Sequence, residues 1–130
     1  MNKTIFLTGI LLGTLAIVFG AFGAHSLKDV FDASTLNSFE TAVRYQMYHA
    51  LLLLIIGQNK IARHRSIKGV YYLITFGIIC FSFSIYLLTL STLAEMDLGY
   101  LGLITPFGGV LLICGWLLLG YRFFRHFSQS

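Results

Sequence analysis

Arg44 and His49 stand inside an otherwise apolar stretch, FETAVRYQMYHALLLLIIG from Phe39 to Gly57, with Glu40 one turn before the arginine and Gln46 between the two. A guanidinium can hold an anion, an imidazole can pass a proton near neutral pH, and a carboxylate at i,i+4 can pair with an arginine on one helix face. In hydrocarbon such groups are costly; they turn toward protein, snorkel to the surface, or line a path. The chemistry open to them therefore depends on the elements that carry them.

Composition sets the medium. The 130 residues are 57% hydrophobic and 11% charged, with a mean hydropathy of +0.81. A water-soluble core of that size could not hide so much apolar surface. Residues 4–24, 69–94 and 98–121 are free of charge, and each reaches the roughly 20 residues a spanning helix needs. The Arg44–His49 segment has the same length, but its polar residues depress its hydropathy. The expected fold is an all-α integral membrane protein, a single domain over residues 1–130. Four transmembrane helices form a bundle, with spans near 4–24, 38–58, 69–94 and 98–121.

Lysine and arginine in short loops stay on the cytoplasmic side. The loop NKIARHRSIK holds Lys60, Arg63, Arg65 and Lys68, the tail holds Arg122 and Arg125, and Lys3 precedes the first span. Four crossings put all of these on one side. Lys28, Asp29, Asp32 and Glu40 fall on one opposite connection, Glu95 and Asp97 on the other. Both termini are expected in the cytoplasm, and the net charge of +4 reads as a topology signal and not as nucleic-acid binding. Lipid headgroup contacts are expected at Lys60, Arg63, Arg65, Lys68, Arg122 and Arg125. The tail YRFFRHF, which interleaves Tyr121, Phe123, Phe124 and Phe127 with those last two arginines, suits a headgroup boundary.

Lys3, an apolar run and the small residues Ala21, Gly23 and Ala24 resemble a signal peptide. The apolar part is too long for that class, so a retained span is expected. Gly9, Gly13, Ala16, Gly20 and Ala24 recur at spacings of three and four, a small-residue stripe that lets helix backbones approach closely. Such a stripe predicts a central first helix, packed on a neighbour in the same chain. Leu27, Val30 and Phe31, opposite Lys28, Asp29 and Asp32, suit a short interfacial helix between spans one and two. Asn37 with Glu40 resembles a capping box, placing the start of span two near Asn37. Pro106 suits the opening turn of span four. Cys80 and Cys114 fall inside spans, where packing is the expected role and neither a disulfide nor a metal site is. No internal repeat aligns the chain into two halves.

At 1.5 Å per residue, counted from Gln58, His49 lies about 13 Å deep and Arg44 about 21 Å deep in a core about 30 Å thick. Around the helix, Glu40 and Arg44 point one way and Tyr45 and His49 point roughly 100 to 140° away from Arg44, so both faces are polar. His25 ends the first span at the height of Glu40. A candidate cluster or ligand site follows: His25, Glu40, Arg44, Tyr45, Gln46, Tyr48 and His49. These side chains either tie helices together or bind an anionic headgroup or a proton-linked solute. For His49 the simplest partner is a helix carbonyl or a hydroxyl, with Ser82 and Ser84 at similar depth. Scattered histidines at 25, 49, 64 and 126, and the lack of any phosphate loop, nucleophile elbow or paired intramembrane carboxylates, point away from catalysis, metals and cofactors.

The segments GAFGAHSLK (Gly20–Lys28) and FETAVRYQMYHALLLL (Phe39–Leu54) resemble the signature of a family of small four-span membrane proteins, domain of unknown function 423. The resemblance implies a fold and a bacterial cytoplasmic membrane address, with His25, Arg44, Tyr45, Gln46 and His49 in the family pattern. It implies no activity, cofactor or substrate. Two functions fit. One is a noncatalytic protein that organises or stabilises the membrane through lipid contacts and association with itself or a membrane-protein partner. The other is a minimal oligomeric transporter or channel for a small solute or protons, lined by the polar residues of span two.

Overall fold

The computed structural model describes residues 1–59 and 67–127, with side chains through Arg125. Among these, every regular element is helical. Four long helices follow in order: α1 (Lys3–Ala24), α2 (Ala33–Gln58), α3 (Ile67–Ser91) and α4 (Ile104–Phe127). α3 passes through a π-helical segment, Ile79–Phe83, and a 3₁₀ segment, Gly99–Leu103, leads into α4. Three stretches, Lys3–Ala24, Ile67–Ser91 and Gly99–Arg125, are long and apolar enough to cross a membrane. α2 has 26 residues, about 39 Å at 1.5 Å each, yet it is too polar to join them by hydropathy.

Each boundary has a local cause. Asp32 caps α2, its carboxylate accepting the Thr35 N–H at 2.7 Å; these bonds hold its carboxyl below the usual carboxylate range. The Asn37–Glu40 capping box expected from the sequence is thus superseded five residues earlier, by an aspartate able to satisfy an orphan N–H. The interfacial helix expected around Leu27–Phe31 is replaced by successive turns over residues 25–30, with Leu27 N–H bonded to Phe22 O and Phe31 N–H to Leu27 O. Phe31 is nevertheless buried, against Phe39. α3 ends in turns through Glu95, whose φ of 52° is the left-handed conformation that usually takes glycine, while Met96 N–H closes back on Ser91 O. Pro106 sits in the first turn of α4, where its missing N–H costs nothing.

α2, and not α1, is the central helix. α1 lies along α2 and touches α3 only through longer side chains, such as Phe19 on Phe83 and Tyr86, and Thr8 on Tyr71. A stripe of small residues covers one face, so it seats one neighbour and leaves Leu7, Leu11, Ile17 and Phe22 exposed. A Cβ added at Gly9 would meet Ala50 O and Leu54 at 3.0 Å, and one at Gly13 would meet Ala50 Cβ at 3.7 Å; Gly20 faces Val43. Ala16 is buried, but Ala24 is exposed and Gly23 takes its place against Phe39. The seam closes with Asn2 N–H donating to Gly57 O at 2.7 Å. α3 packs on α4 in the same way, with Gly108 against the backbone of Cys80 and Phe81.

This pairing collects charge by sign. Lys3, the end of α2, Lys68, Arg122 and Arg125 share one end of the molecule, where Gly69 also approaches Leu118 and Arg122. Asp29, Asp32, Glu95 and Asp97 lie on the turns at the other end, where Lys28 is the basic exception. Lys60, Arg63 and Arg65, expected to meet headgroups, lie outside the described residues. Cys80 and Cys114 are free thiols, the first half-buried and the second exposed.

Candidate functional site

α2 is built with two faces. Phe39, Ala42, Gln46, His49, Ala50, Leu53 and Gly57 repeat at three and four residues and are buried; Glu40, Arg44, Tyr48, Leu51 and Ile55 repeat likewise and are exposed. Because 3.6 residues make a turn, Gln46 and His49 fall on the buried stripe. Gln46 is 0% and His49 4% exposed. A buried amide or imidazole in an apolar interior needs its hydrogen bonds met, and both are.

Gln46 is the hub. Its Nε2 donates to Leu12 O of α1 at 2.8 Å, and its Oε1 accepts the Tyr86 hydroxyl of α3 at 2.7 Å. One amide thus joins three helices. Tyr86 is held in an aromatic cluster with Phe19, Phe39 and Phe83. Nearby, Ser82 Oγ donates to Ala42 O at 2.8 Å, a second tie between α3 and α2.

His49 bonds on both ring nitrogens. Trp116 Nε1–H of α4 donates to His49 Nε2 at 3.1 Å, so that nitrogen must carry a lone pair, and Nδ1–H then donates to Tyr45 O at 2.6 Å. The two bonds define a neutral imidazole of a single tautomer. Through it α2 is tied to α4, as through Gln46 it is tied to α1 and α3. Ser84, expected at the depth of His49, instead bonds Phe81 O and Thr105 Oγ1.

The structure divides the candidate residues. Gln46 and His49 go inward as described. Tyr45 and Tyr48 are 43% and 55% exposed and contact each other edge to face; Tyr45 also packs on Phe81. His25, Glu40 and Arg44 are exposed and do not come together. Arg44 donates to Thr41 Oγ1 at 3.0 Å, and no ion pair with Glu40 forms among the described residues. Outside hydrocarbon-buried pockets an i,i+4 pair on a helix surface is worth only tenths of a kcal/mol, so a hydroxyl three residues back competes. Sequence reasoning missed Tyr86 and Trp116. A lone tryptophan and one tyrosine among seven carry no mark of their partners, which lie 67 and 40 residues away. Among the described residues no three His, Cys, Asp or Glu side chains converge as a metal would require.

Apolar helices joined by internal hydrogen bonds, with large aliphatic and aromatic side chains facing outward, define a helical membrane protein. Residues 19–109 match the family described as "Protein of unknown function (DUF423)", and the chain belongs to that family. It is 42% identical over 117 residues to a UPF0382 membrane protein of Staphylococcus saprophyticus, covering 90% of this chain and 93% of that one. Similarity extends to the UPF0382 membrane protein YwdK of Bacillus subtilis, 34% identical over 119 residues with 90% and 93% covered. No solved structure matches the chain.

Proposed function

We propose that the protein is a noncatalytic, four-crossing component of the bacterial cytoplasmic membrane that organises its surroundings through lipid contacts and association with itself or another membrane protein. α2 serves as the fourth crossing. Its length exceeds the hydrocarbon thickness of about 30 Å, and its buried polar groups are matched inside the protein, which lowers the cost of immersing them. With both termini at the lysine- and arginine-bearing end, that end faces the cytoplasm.

The observation that carries this reading is the pairing of Gln46 and His49. A path for protons or solutes along α2 needs polar groups turned to water, whereas these two are fixed to Leu12, Tyr86, Tyr45 and Trp116. The buried polar side-chain atoms without a partner among the described residues, Thr75 Oγ1 and Arg122 Nε, lie on α3 and α4. What remains for contact is the outer surface: broad apolar faces on α1 and α4 and aromatic residues near their ends.

Reconstitution tests the proposal. Purified protein in vesicles is expected to leave proton and small-solute leak at the level of protein-free vesicles, and to immobilise a measurable fraction of spin-labelled lipid. A flux that disappears in His49→Ala, with the variant still folded, would replace it with the transporter reading.

A further inference from the structure

The Ala33 end of α2 borders an open groove of about 470 Å³, walled by the first turns of α2, the last turns of α3 and the approach to α4. Its polar lining consists of hydroxyls and the Asn37 amide, without a charged side chain. Five of its seven hydroxyls have their protons already committed. Ser38 Oγ donates to Ser34 O, Thr41 Oγ1 to Asn37 O, Thr89 Oγ1 to Ile85 O and Thr92 Oγ1 to Thr89 O. Ser84 Oγ donates to Phe81 O, so Thr105 gives its proton to Ser84. A hydroxyl has one proton and two lone pairs; what these five residues offer the groove is therefore a set of acceptors.

Arg44 stands at one edge. Its guanidinium donates to Thr41 Oγ1 at 3.0 Å, and its other N–H groups have no partner among the described residues. Guanidinium forks suit phosphate oxygens. The site thus has two zones, a cation free to take an anion and a neighbouring cradle that accepts N–H or O–H donors. Counted from Gln58, the roughly 9 Å by which α2 outruns a 30 Å hydrocarbon core falls at the Ala33 end, which sets its first turns at headgroup height and leaves Arg44 to snorkel up to it.

We propose that this groove seats the headgroup of a phospholipid that carries hydrogen-bond donors, its phosphate on Arg44 and its ammonium or hydroxyl protons on the cradle of Ser38, Thr41, Thr89, Thr92 and Thr105. The inference deepens the membrane-organising reading and rests on it. Phosphatidylethanolamine and phosphatidylglycerol both satisfy the chemistry. Phosphatidylcholine offers the same phosphate with a methylated ammonium that has no N–H, so it isolates the role of the cradle.

The test is native mass spectrometry of the full chain in detergent, exchanged with equimolar phosphatidylethanolamine, phosphatidylglycerol and phosphatidylcholine of identical acyl chains. Retention of either donor-bearing lipid at least fivefold over phosphatidylcholine is expected, and whichever leads names the source. Arg44→Gln should lower retention of all three lipids, because each brings the same phosphate, while Thr41→Val combined with Thr89→Val should abolish the preference of phosphatidylethanolamine over phosphatidylcholine. Arg44 is exposed, so its variant folds and the melting temperature verifies that. Equal retention of all three lipids, or indifference to Arg44→Gln, overturns the site. Displacement of bound lipid by millimolar inorganic phosphate also overturns it, in favour of a plain anion site. Lost selectivity with an unchanged fraction of spin-immobilised lipid defeats only the headgroup site; loss of both defeats the membrane-organising reading as well.

Discussion

Two faces of one helix carry polar residues and treat them in opposite ways. On the inward face of α2, Gln46 and His49 are closed into hydrogen bonds that reach α1, α3 and α4; on the outward face, Glu40 and Arg44, within nine residues of them, meet at most a neighbouring hydroxyl. The difference is angular and not chemical. A glutamine that loses water must be matched by protein, whereas an arginine at the rim keeps access to solvent or headgroups. Polarity in a helix of such a protein therefore signals function only after the direction of each side chain is known.

The contrast can be broken from its strongest point downward. At Gly57 on the inward face an added Cβ would meet the backbone N of Phe6 at 2.9 Å, where neither helix can yield cheaply. Gly57→Ala is expected to destabilise by about 2 kcal/mol, read from reversible unfolding in mixed micelles. Gly120→Ala, with nothing within 4 Å, should be neutral and serves as the control.

Gln46→Leu strands the Tyr86 hydroxyl and should cost about 1–3 kcal/mol. Tyr86→Phe should cost less, because the amide keeps its bond to Leu12 O. A double-mutant cycle is expected to show positive coupling; additivity would mean the two side chains do not meet.

His49→Phe should cost about 1 kcal/mol, with a clearer optical readout. Trp116 is the sole tryptophan, so loss of its hydrogen bond to His49 is expected to shift its emission to the blue. An unchanged spectrum would deny the pair.

Outward, Glu40→Gln and Arg44→Gln are each expected to alter stability by less than about 0.5 kcal/mol. The smallest effect is local. The Thr35 bonds hold the Asp32 carboxyl below the usual carboxylate range, so its cap is fully formed at neutral pH and is lost only as pH falls below that range. Amide exchange at Thr35 should accelerate there while Gln46 and its neighbours stay protected.

How much of this was legible in the sequence follows the same division. The three charge-free stretches are helices because twenty apolar residues leave the backbone no other way to satisfy itself in lipid. Gly9, Gly13, Ala16 and Gly20 marked the α1–α2 seam because close approach demands small side chains. The stripe could not say that α1 has one neighbour only, so the central helix was misassigned. The His25–Glu40–Arg44 cluster was inferred from similar height, which places residues in one layer but not on one face. Tyr86 and Trp116 were invisible because hydrogen bonds across 40 and 67 residues depend on tertiary registry. Asp32 was overlooked as a cap in favour of Asn37, although an aspartate before a helical run is itself a start signal.

The central claim is that α2 crosses the bilayer with Gln46 and His49 sealed inside. In a background of Cys80→Ala and Cys114→Ala, single variants Ser34→Cys and Gln58→Cys place one thiol at each end of that helix. A membrane-impermeant maleimide added to intact cells is predicted to label position 34 directly and position 58 only after permeabilisation. Labelling of both positions from the same side would contradict the crossing.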